Sequence, residues 1–185
     1  MPLKLSIIGL AIAAVIAPAA TMAFSSILLW LFETLPYVVS MADASAATKQ
    51  LFGYTSLQAE LISSSGRLLY DVLLGPLLAV PFGFVGAAIF LAPPLAIASL
   101  KDDVRGYMIA GGVAGASHAL AGTLLDRFLP DAGWPGLVLG LLPYGFRAIA
   151  TVTTAISAVV AGLLVGWLYG RIVGGRRAWA FSGSN

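Results

Sequence analysis

Charged residues leave four long apolar stretches along the chain. These stretches contain no Asp, Glu, Lys or Arg, and they comprise 28 residues after Lys4, 29 after Asp71, 20 after Arg105 and 23 after Arg147. A helix of about 20 apolar residues crosses the hydrocarbon core of a bilayer, so each stretch can span once. The pattern predicts an all-α integral membrane protein, a four-transmembrane-helix bundle forming a single membrane domain over residues 1–185. The predicted spans are about 5–32, 72–92, 106–125 and 148–172.

Two segments between the spans have patterns of their own. The outer loop, 33–70, contains Thr55 and Gln58 at the spacing of a helix capping box, followed by leucines at helical intervals. This predicts an outer amphipathic helix at about 56–70, which rests on the membrane or runs into the second span. The segment 134–146, WPGLVLGLLPYGF, is too short and too rich in Gly and Pro for a normal span. It is predicted to be an interfacial helix or a re-entrant loop.

Prolines interrupt the first two spans. Pro18 lies near the middle of the first span, and Pro81 lies within the second. A proline removes a backbone hydrogen bond and clashes with the preceding turn, so both positions predict a kink. Pro93 and Pro94 predict the point at which regular helix ends, before the charged turn KDDVR.

Small residues recur every four positions along the last span. They are Ala150, Thr154, Ala158, Gly162, Gly166, Gly170 and Gly174. In lipid, helices associate largely through close backbone approach at small residues, so this stripe predicts tight helix packing, inside the chain or between chains. The stripe drifts around the helix axis by roughly 40° per step, which predicts one partner for Gly162–Gly174 and another for Ala150–Ala158.

The third span has a small-residue face as well. Gly111, Gly115, His118 and Gly122 are spaced four, three and four residues apart, which places them on one face of a helix. This face predicts a helix surrounded by protein rather than lipid. The candidate helix-packing residues are Ala158, Gly162, Gly166, Gly170 and Gly174 of the last span with Gly111, Gly115 and Gly122 of the third.

The composition supports membrane insertion and reduces the number of partner classes that the sequence predicts. Hydrophobic residues make up 59% of the chain and charged residues 10%, and the mean hydropathy is +0.96, outside the soluble globular range. The net charge of +2 comes from scattered basic residues, so no nucleic-acid partner is predicted. The chain has no cysteine, which excludes disulfides and thiolate metal sites. The predicted partners are the lipid bilayer and either copies of the same chain or other membrane subunits.

Basic residues also predict the orientation. With a cytoplasmic N-terminus, six Lys and Arg residues lie inside and four lie outside, and the basic cluster Arg171–Arg177 directly follows the last span. The positive-inside rule therefore predicts that both termini are cytoplasmic. The composition is typical of small bacterial inner-membrane proteins, and the predicted location is the cell membrane.

The N-terminus has a second interpretation. Lys4, the apolar run and the small residues around 17–23 imitate a cleaved secretory signal peptide. The apolar run continues to Leu31, far beyond a normal signal core, so an uncleaved first helix is favoured. Cleavage would leave three spans with the same C-terminal orientation.

His118 and Arg147 form the candidate polar site. His118 is the only histidine and lies deep in a span, where ionisable residues are costly and often functional. It is a candidate proton relay, cofactor ligand or substrate contact, or alternatively a neutral imidazole that donates a structural hydrogen bond. Arg147, at the mouth of the last span, is either an interfacial anchor or the rim of an anion-binding entry. One imidazole is too few for a zinc site, so no metal or cofactor is predicted.

Three classes of function remain open. The favoured hypothesis is a non-catalytic subunit or self-assembling component of a membrane complex, because the chain has small-residue faces and few polar groups at membrane depth. The alternative is a small transporter or channel that uses His118 and the proline-broken second span. A membrane enzyme or haem-bound electron carrier is the least favoured, and no catalytic residue is predicted.

Overall fold

A computed structural model describes residues 5–100, 103–128 and 148–182, and these form helices without a strand. The helices are α1 (Ile7–Leu29), α2 (Leu35–Ala42), α3 (Ala46–Leu51), α4 (Leu57–Ala98), α5 (Val104–Phe128) and α6 (Ala148–Ser182), with a π-helical turn at Trp30–Thr34. The all-α prediction is confirmed for this part of the chain. The predicted interfacial or re-entrant segment, 134–146, and Arg147 lie outside the described residues.

Two helices are long and apolar enough to cross a membrane. They are the continuous run Ile7–Ala42 and the segment Val152–Val173 within α6. A third candidate is α4, whose first limb, Leu57–Pro81, and second limb, Gly83–Ala98, meet at 74°. The described part of the chain therefore holds two to three candidate spans.

The first helix continues well beyond the predicted end of its span. Ser6 caps α1 by accepting a hydrogen bond from the backbone N–H of Gly9, at 3.1 Å. At the far end, the N–H of Leu35 bonds to the carbonyl of Trp30, which widens the helix for one turn before α2. Pro36 lacks an N–H and crowds the turn before it, and the wider turn accommodates its ring. The predicted outer loop therefore begins as helix.

The α4 helix joins the predicted outer helix to the predicted second span. Its cap is Ser56, one residue after the predicted Thr55, and the Ser56 hydroxyl accepts from the N–H of Ala59 at 3.2 Å. Of the two arrangements predicted for the outer helix, the structure has the one in which it runs into the span. The 74° bend directly follows Pro81, where a kink was predicted.

Pro93 and Pro94 do not end the helix. The expectation that regular structure stops there is wrong, because α4 continues to Ala98. Pro93 faces outward, whereas Leu91 and Leu95 lie on the opposite side of the helix and are buried. Packing of these two leucines against the core holds this turn helical despite the missing N–H groups.

The four long helices pack in pairs around one core. α1 lies along α4 and α6, and α5 lies along α6 and α4. The core is built from small and aliphatic side chains with two tyrosines. Its buried members are Ala13, Ala14, Ala87, Leu91, Leu95, Ala98, Tyr107, Ala110, Ala114, Val165, Tyr169 and Val173. One end of the molecule carries the turn from α4 to α5 (the turn end), and the other carries α3 (the α3 end).

The position of α1 predicts that it is retained in the mature protein. Ala13 and Ala14 are buried in the core, and the backbone N–H of Ser6 donates to the Tyr169 hydroxyl of α6 at 2.8 Å. Removal of residues up to about 23 would expose this core. We expect the intact mass of protein extracted from its native membrane to include α1. A mass that lacks the first 17–23 residues would contradict this prediction.

Candidate functional site

The α5 and α6 helices touch through their backbones. A Cβ atom added to Gly111 would overlap the carbonyl oxygen of Gly162 and lie 2.9 Å from Cα of Gly166. A Cβ added to Gly115 would overlap the carbonyl oxygen of Ala158. No side chain larger than hydrogen fits at Gly111 or Gly115 while the two backbones keep this separation. We call this surface the glycine contact.

The glycine contact continues to the turn end. A Cβ at Gly166 would overlap the carbonyl oxygen of Tyr107, and one at Gly170 would lie 3.0 Å from Cδ2 of the same tyrosine. Positions four residues apart on α6 thus meet positions four residues apart on α5, in antiparallel order. Such close approach brings many atoms into dispersion contact, which is a main attraction between helices in lipid.

The stripe on α6 divides between two neighbours, as its drift predicts, but at a different step. Ala158 lies against α5 together with Gly162, Gly166 and Gly170. The hydroxyl of Thr154, one step earlier, lies 3.4 Å from the hydroxyl of Ser25 on α1. The change of partner therefore falls between 154 and 158 rather than between 158 and 162.

The two remaining predicted packing residues are Gly122 and Gly174. Gly122 is half-buried on α5, toward the α3 end. Gly174 lies in α6 four residues beyond Gly170, and the surroundings of its position are outside the described side chains.

Two tyrosines at the turn end were missed by sequence reasoning. Tyr107 and Tyr169 are each 1% exposed, and their ring centroids are 5.2 Å apart with planes tilted by 58°. The Tyr169 hydroxyl accepts a hydrogen bond from the backbone N–H of Ser6. The Tyr169 ring lies 2.9 Å from the position that a Cβ on Gly9 would occupy. This pair joins α1, α5 and α6. Its only sequence signal is that each tyrosine adjoins a stripe of small residues.

Three residues with hydroxyl groups are buried in α1 and α6. Ser25, Thr153 and Ser157 are all buried, and Ser157 donates to the carbonyl of Thr153 at 2.7 Å. That bond lies within α6 and satisfies the buried hydroxyl of Ser157, as polar side chains in apolar surroundings require. The hydroxyl that lies between the helices is that of Ser25, 3.4 Å from the hydroxyl of Thr154.

His118 lies outside the glycine contact. Its ring is half-buried and stacks on Phe90 of α4, with centroids 5.0 Å apart and planes within 15° of parallel. The spacing predicts that His118 shares a helix face with Gly111 and Gly115, whereas the ring lies on the α4 side of α5. Arg147, the other member of the candidate polar site, lies outside the described residues.

A shallow apolar groove of about 460 Å³ follows the glycine contact on the surface of α5 and α6. It opens outward, toward the α3 end. Small side chains make up much of its lining. The lining residues are Ala116, Ala119, Leu120 and Thr123 of α5 and Ala155, Ile156, Val159 and Val160 of α6. We call this surface the alanine groove.

Across residues 5–100, 103–128 and 148–182, no three His, Asp or Glu side chains are grouped so that they could hold a metal ion. Comparisons of the chain with models of protein families, with curated proteins and with solved structures give no match.

The glycine contact predicts opposite effects for two glycines of α5. Gly111→Ala places a methyl group on the backbone of α6, so the helices must separate, and we expect a loss of about 1–3 kcal/mol in the free energy of unfolding. Gly106→Ala is the matched control, because a Cβ there meets no atom within 4 Å. It should be neutral or stabilise the helix by up to about 1 kcal/mol. Unfolding in detergent, followed by circular dichroism, measures both; equal effects would contradict the contact.

Proposed function

We propose that the protein is a non-catalytic, multi-span membrane protein that acts as a subunit of a membrane complex, either with copies of itself or with other membrane proteins. The observation that carries the proposal is the division of small residues on α5 and α6 between two surfaces. The glycine contact is used within the chain, whereas the alanine groove beside it remains open.

Four spans are proposed because α5 shares the depth of α6. The segment Val152–Val173 is long and apolar enough to cross a membrane, and α5 contacts it from Ala158 to Gly170. Two helices in backbone contact over this length lie at the same level of the bilayer. Tyr107, Ala110 and Ala114 of α5 are buried. On the other side of the helix, Ile109, Val113 and Leu120 are exposed, which supports a span with one face toward lipid or another subunit.

The proposed location is a cell membrane, such as a bacterial inner membrane, with both termini in the cytoplasm. The bias of Lys and Arg toward the turn end and the two chain termini supports this orientation. Arg171 lies over the ring of Trp167, 5.5 Å from its centroid. An arginine and a tryptophan paired near the end of an apolar helix are typical of the lipid–water interface.

The alanine groove is the proposed assembly surface. In lipid, helix association depends on close packing, and small side chains such as Ala116, Ala119 and Ala155 allow a neighbouring helix to approach. The bulkier Ile156 and Val160 also line the groove and provide apolar contact area. A helix of a second subunit would lie in this groove. It would pack on the small residues beside the glycine contact, as α5 and α6 pack on each other within the chain.

A small transporter or channel is the second candidate. Its specific support is the 74° break in α4, since interrupted helices often mark substrate sites in transporters. His118 stacks on Phe90 in the second limb of the same helix. On this alternative, His118 carries a proton or contacts the substrate.

Filling the groove tests the assembly proposal. Ala116→Leu enlarges an exposed groove side chain, so we expect the complex to dissociate or become smaller in native mass spectrometry of gently extracted protein. Ala11→Leu makes the same change at an exposed position of α1 outside the groove and should leave the complex unchanged. A wild-type protein that is monomeric after gentle extraction, or two variants that behave alike, would refute the proposal.

His118→Phe separates the two candidate functions. The phenyl ring preserves the stacking on Phe90 but has no nitrogen to carry a proton. The assembly proposal predicts an intact complex for His118→Phe and reduced stability for His118→Ala. The transport alternative predicts proton flux in vesicles of the wild-type protein, measured with an internal pH-sensitive dye, and its loss in both variants.

A further inference from the structure

One side of the α5 and α6 pair faces away from α1 and α4. The residues just before the contacting positions of both helices are buried in the core that α1 and α4 share. They are Ala110 and Ala114 of α5 with Val165 and Tyr169 of α6. Because the two helices run in opposite directions, the residues just after the contacting positions point to the other side of the pair on both helices. The alanine groove occupies that side toward the α3 end, and we call it the groove side.

Two arginines occupy the groove side at the turn end. A Cβ on Gly170 would lie 3.3 Å from Cα of Val104, so the two helices are still in contact at this point. Arg171 follows Gly170, Arg105 follows Val104, and both arginines are exposed. The contact therefore places the bases of the two arginine side chains next to each other on one side of the pair.

The two arginines lie at the level where two candidate spans end. The span in α6 ends at Val173, two residues beyond Arg171, and the first span begins directly after Ser6. The N–H of Ser6 donates to the Tyr169 hydroxyl at 2.8 Å, which places these two ends at one level. Lipid phosphates lie just outside the hydrocarbon core, and therefore at the level of the arginine pair.

The charges at this position favour an anion. The guanidinium carbon of Arg171 lies 5.5 Å from the centroid of the Trp167 ring. Stacking on an aromatic ring uses the flat face of a guanidinium, so the N–H donors in its plane remain directed outward, toward a phosphate. Of the described acidic residues, Asp103 alone lies at the turn end, and its carboxylate accepts from the backbone N–H of Arg105 at 3.3 Å. The two arginines and this carboxylate carry one net positive charge.

Apolar side chains continue the groove side toward the middle of the membrane. Ile109, one turn after Arg105, is 60% exposed, and Trp167, one turn before Arg171, is 39% exposed. Leu163 is half-buried one turn further in. The surface thus has cations at the level of lipid headgroups and apolar side chains at the level of acyl chains.

We infer that the groove side at the turn end binds one anionic phospholipid. Its phosphate lies between Arg105 and Arg171, and its acyl chains lie against Ile109 and Trp167. Basic surfaces between transmembrane helices bind such headgroups, and the N–H donors of arginine match phosphate oxygens in pairs. The inference rests on the proposed membrane insertion and does not depend on the assembly proposal.

Both the charge and the shape of the surface select the lipid. The net positive charge favours phosphatidylglycerol over phosphatidylcholine, because the choline group of the latter offsets the charge of its phosphate. The apolar side chains below the arginines favour a lipid over a soluble phosphate, since only a lipid covers them.

Native mass spectrometry of the full-length protein, titrated with lipid in detergent, tests this site. The two lipids are phosphatidylglycerol and phosphatidylcholine with identical acyl chains. The variants are Arg105→Gln, Arg171→Gln and the double variant, which lose charge but keep a long polar side chain. Arg67→Gln is the matched control, because it removes the same charge at an exposed position of the first limb of α4, outside the groove side. All four arginine variants change exposed positions, and an unchanged unfolding temperature would verify that they fold.

We expect the wild-type protein to bind phosphatidylglycerol severalfold more tightly than phosphatidylcholine. Each single variant should bind phosphatidylglycerol about fivefold more weakly, with a larger loss in the double variant. Arg67→Gln should bind both lipids as the wild-type protein does.

Three results would overturn the inference. The first is equal binding of the two lipids by the wild-type protein, which no variant is needed to measure. The second is an equal loss in Arg67→Gln and in the site variants, since the preference would then follow net charge alone. The third is displacement of phosphatidylglycerol by an equal concentration of inorganic phosphate, since the site would then bind a free anion. Bound lipids are counted per chain, so a monomer that prefers phosphatidylglycerol would refute the assembly proposal and support this site.

Discussion

The backbone contact between α5 and α6 is the constraint on which the rest of the arrangement depends. In lipid, hydrophobic burial does not drive helices together, so attraction has to come from close packing. Gly111, Gly115 and Gly162 permit that packing because they place nothing between the two backbones. The contact fixes the separation and register of the two helices. It thereby sets the position of the tyrosine pair at the turn end and of the alanine groove toward the α3 end.

A second close approach positions α4. A Cβ on Gly83, the first residue after the bend, would lie 2.5 Å from Cβ of Pro18. The bend of α4 thus packs on Pro18 of α1. Both sites lie at or next to a proline, where a backbone hydrogen bond of the helix is missing. The bend is supported by a packed neighbour rather than left as a flexible joint. This support allows one helix to contain a limb within the core and a limb outside it.

Much of the helical architecture could be predicted from charge spacing and proline positions. The all-α class and the bend after Pro81 follow from local rules of helix chemistry. The continuation of helix past Pro93 could not be predicted in this way, because it depends on the burial of Leu91 and Leu95 on the opposite side of that turn. Tertiary packing overrides the local preference there.

The candidate site was less accessible to sequence reasoning than the fold. Spacing showed that Gly162 and Gly166 share a face, but not that Gly111 and Tyr107 lie opposite them. The neighbour of His118 could not be found from its own helix, because Phe90 belongs to α4 and meets it only through the packing of α4 on α5. Pairings between helices depend on rotation and register, which no single helix encodes.

The hydrogen bond from Ser6 to Tyr169 joins residues 163 positions apart. During synthesis, α1 is made first and α6 last. The contact between them can therefore form only after most of the chain has been completed. Until then, Gly9, Ala13 and Ala14 lack part of the surface that covers them in the finished protein. The exposure of α1 therefore depends on whether α6 has been made. In a chain that stops before Tyr169, the face of α1 around Gly9 stays exposed. Quality control that recognises exposed small-residue faces would detect incomplete chains at their first helix.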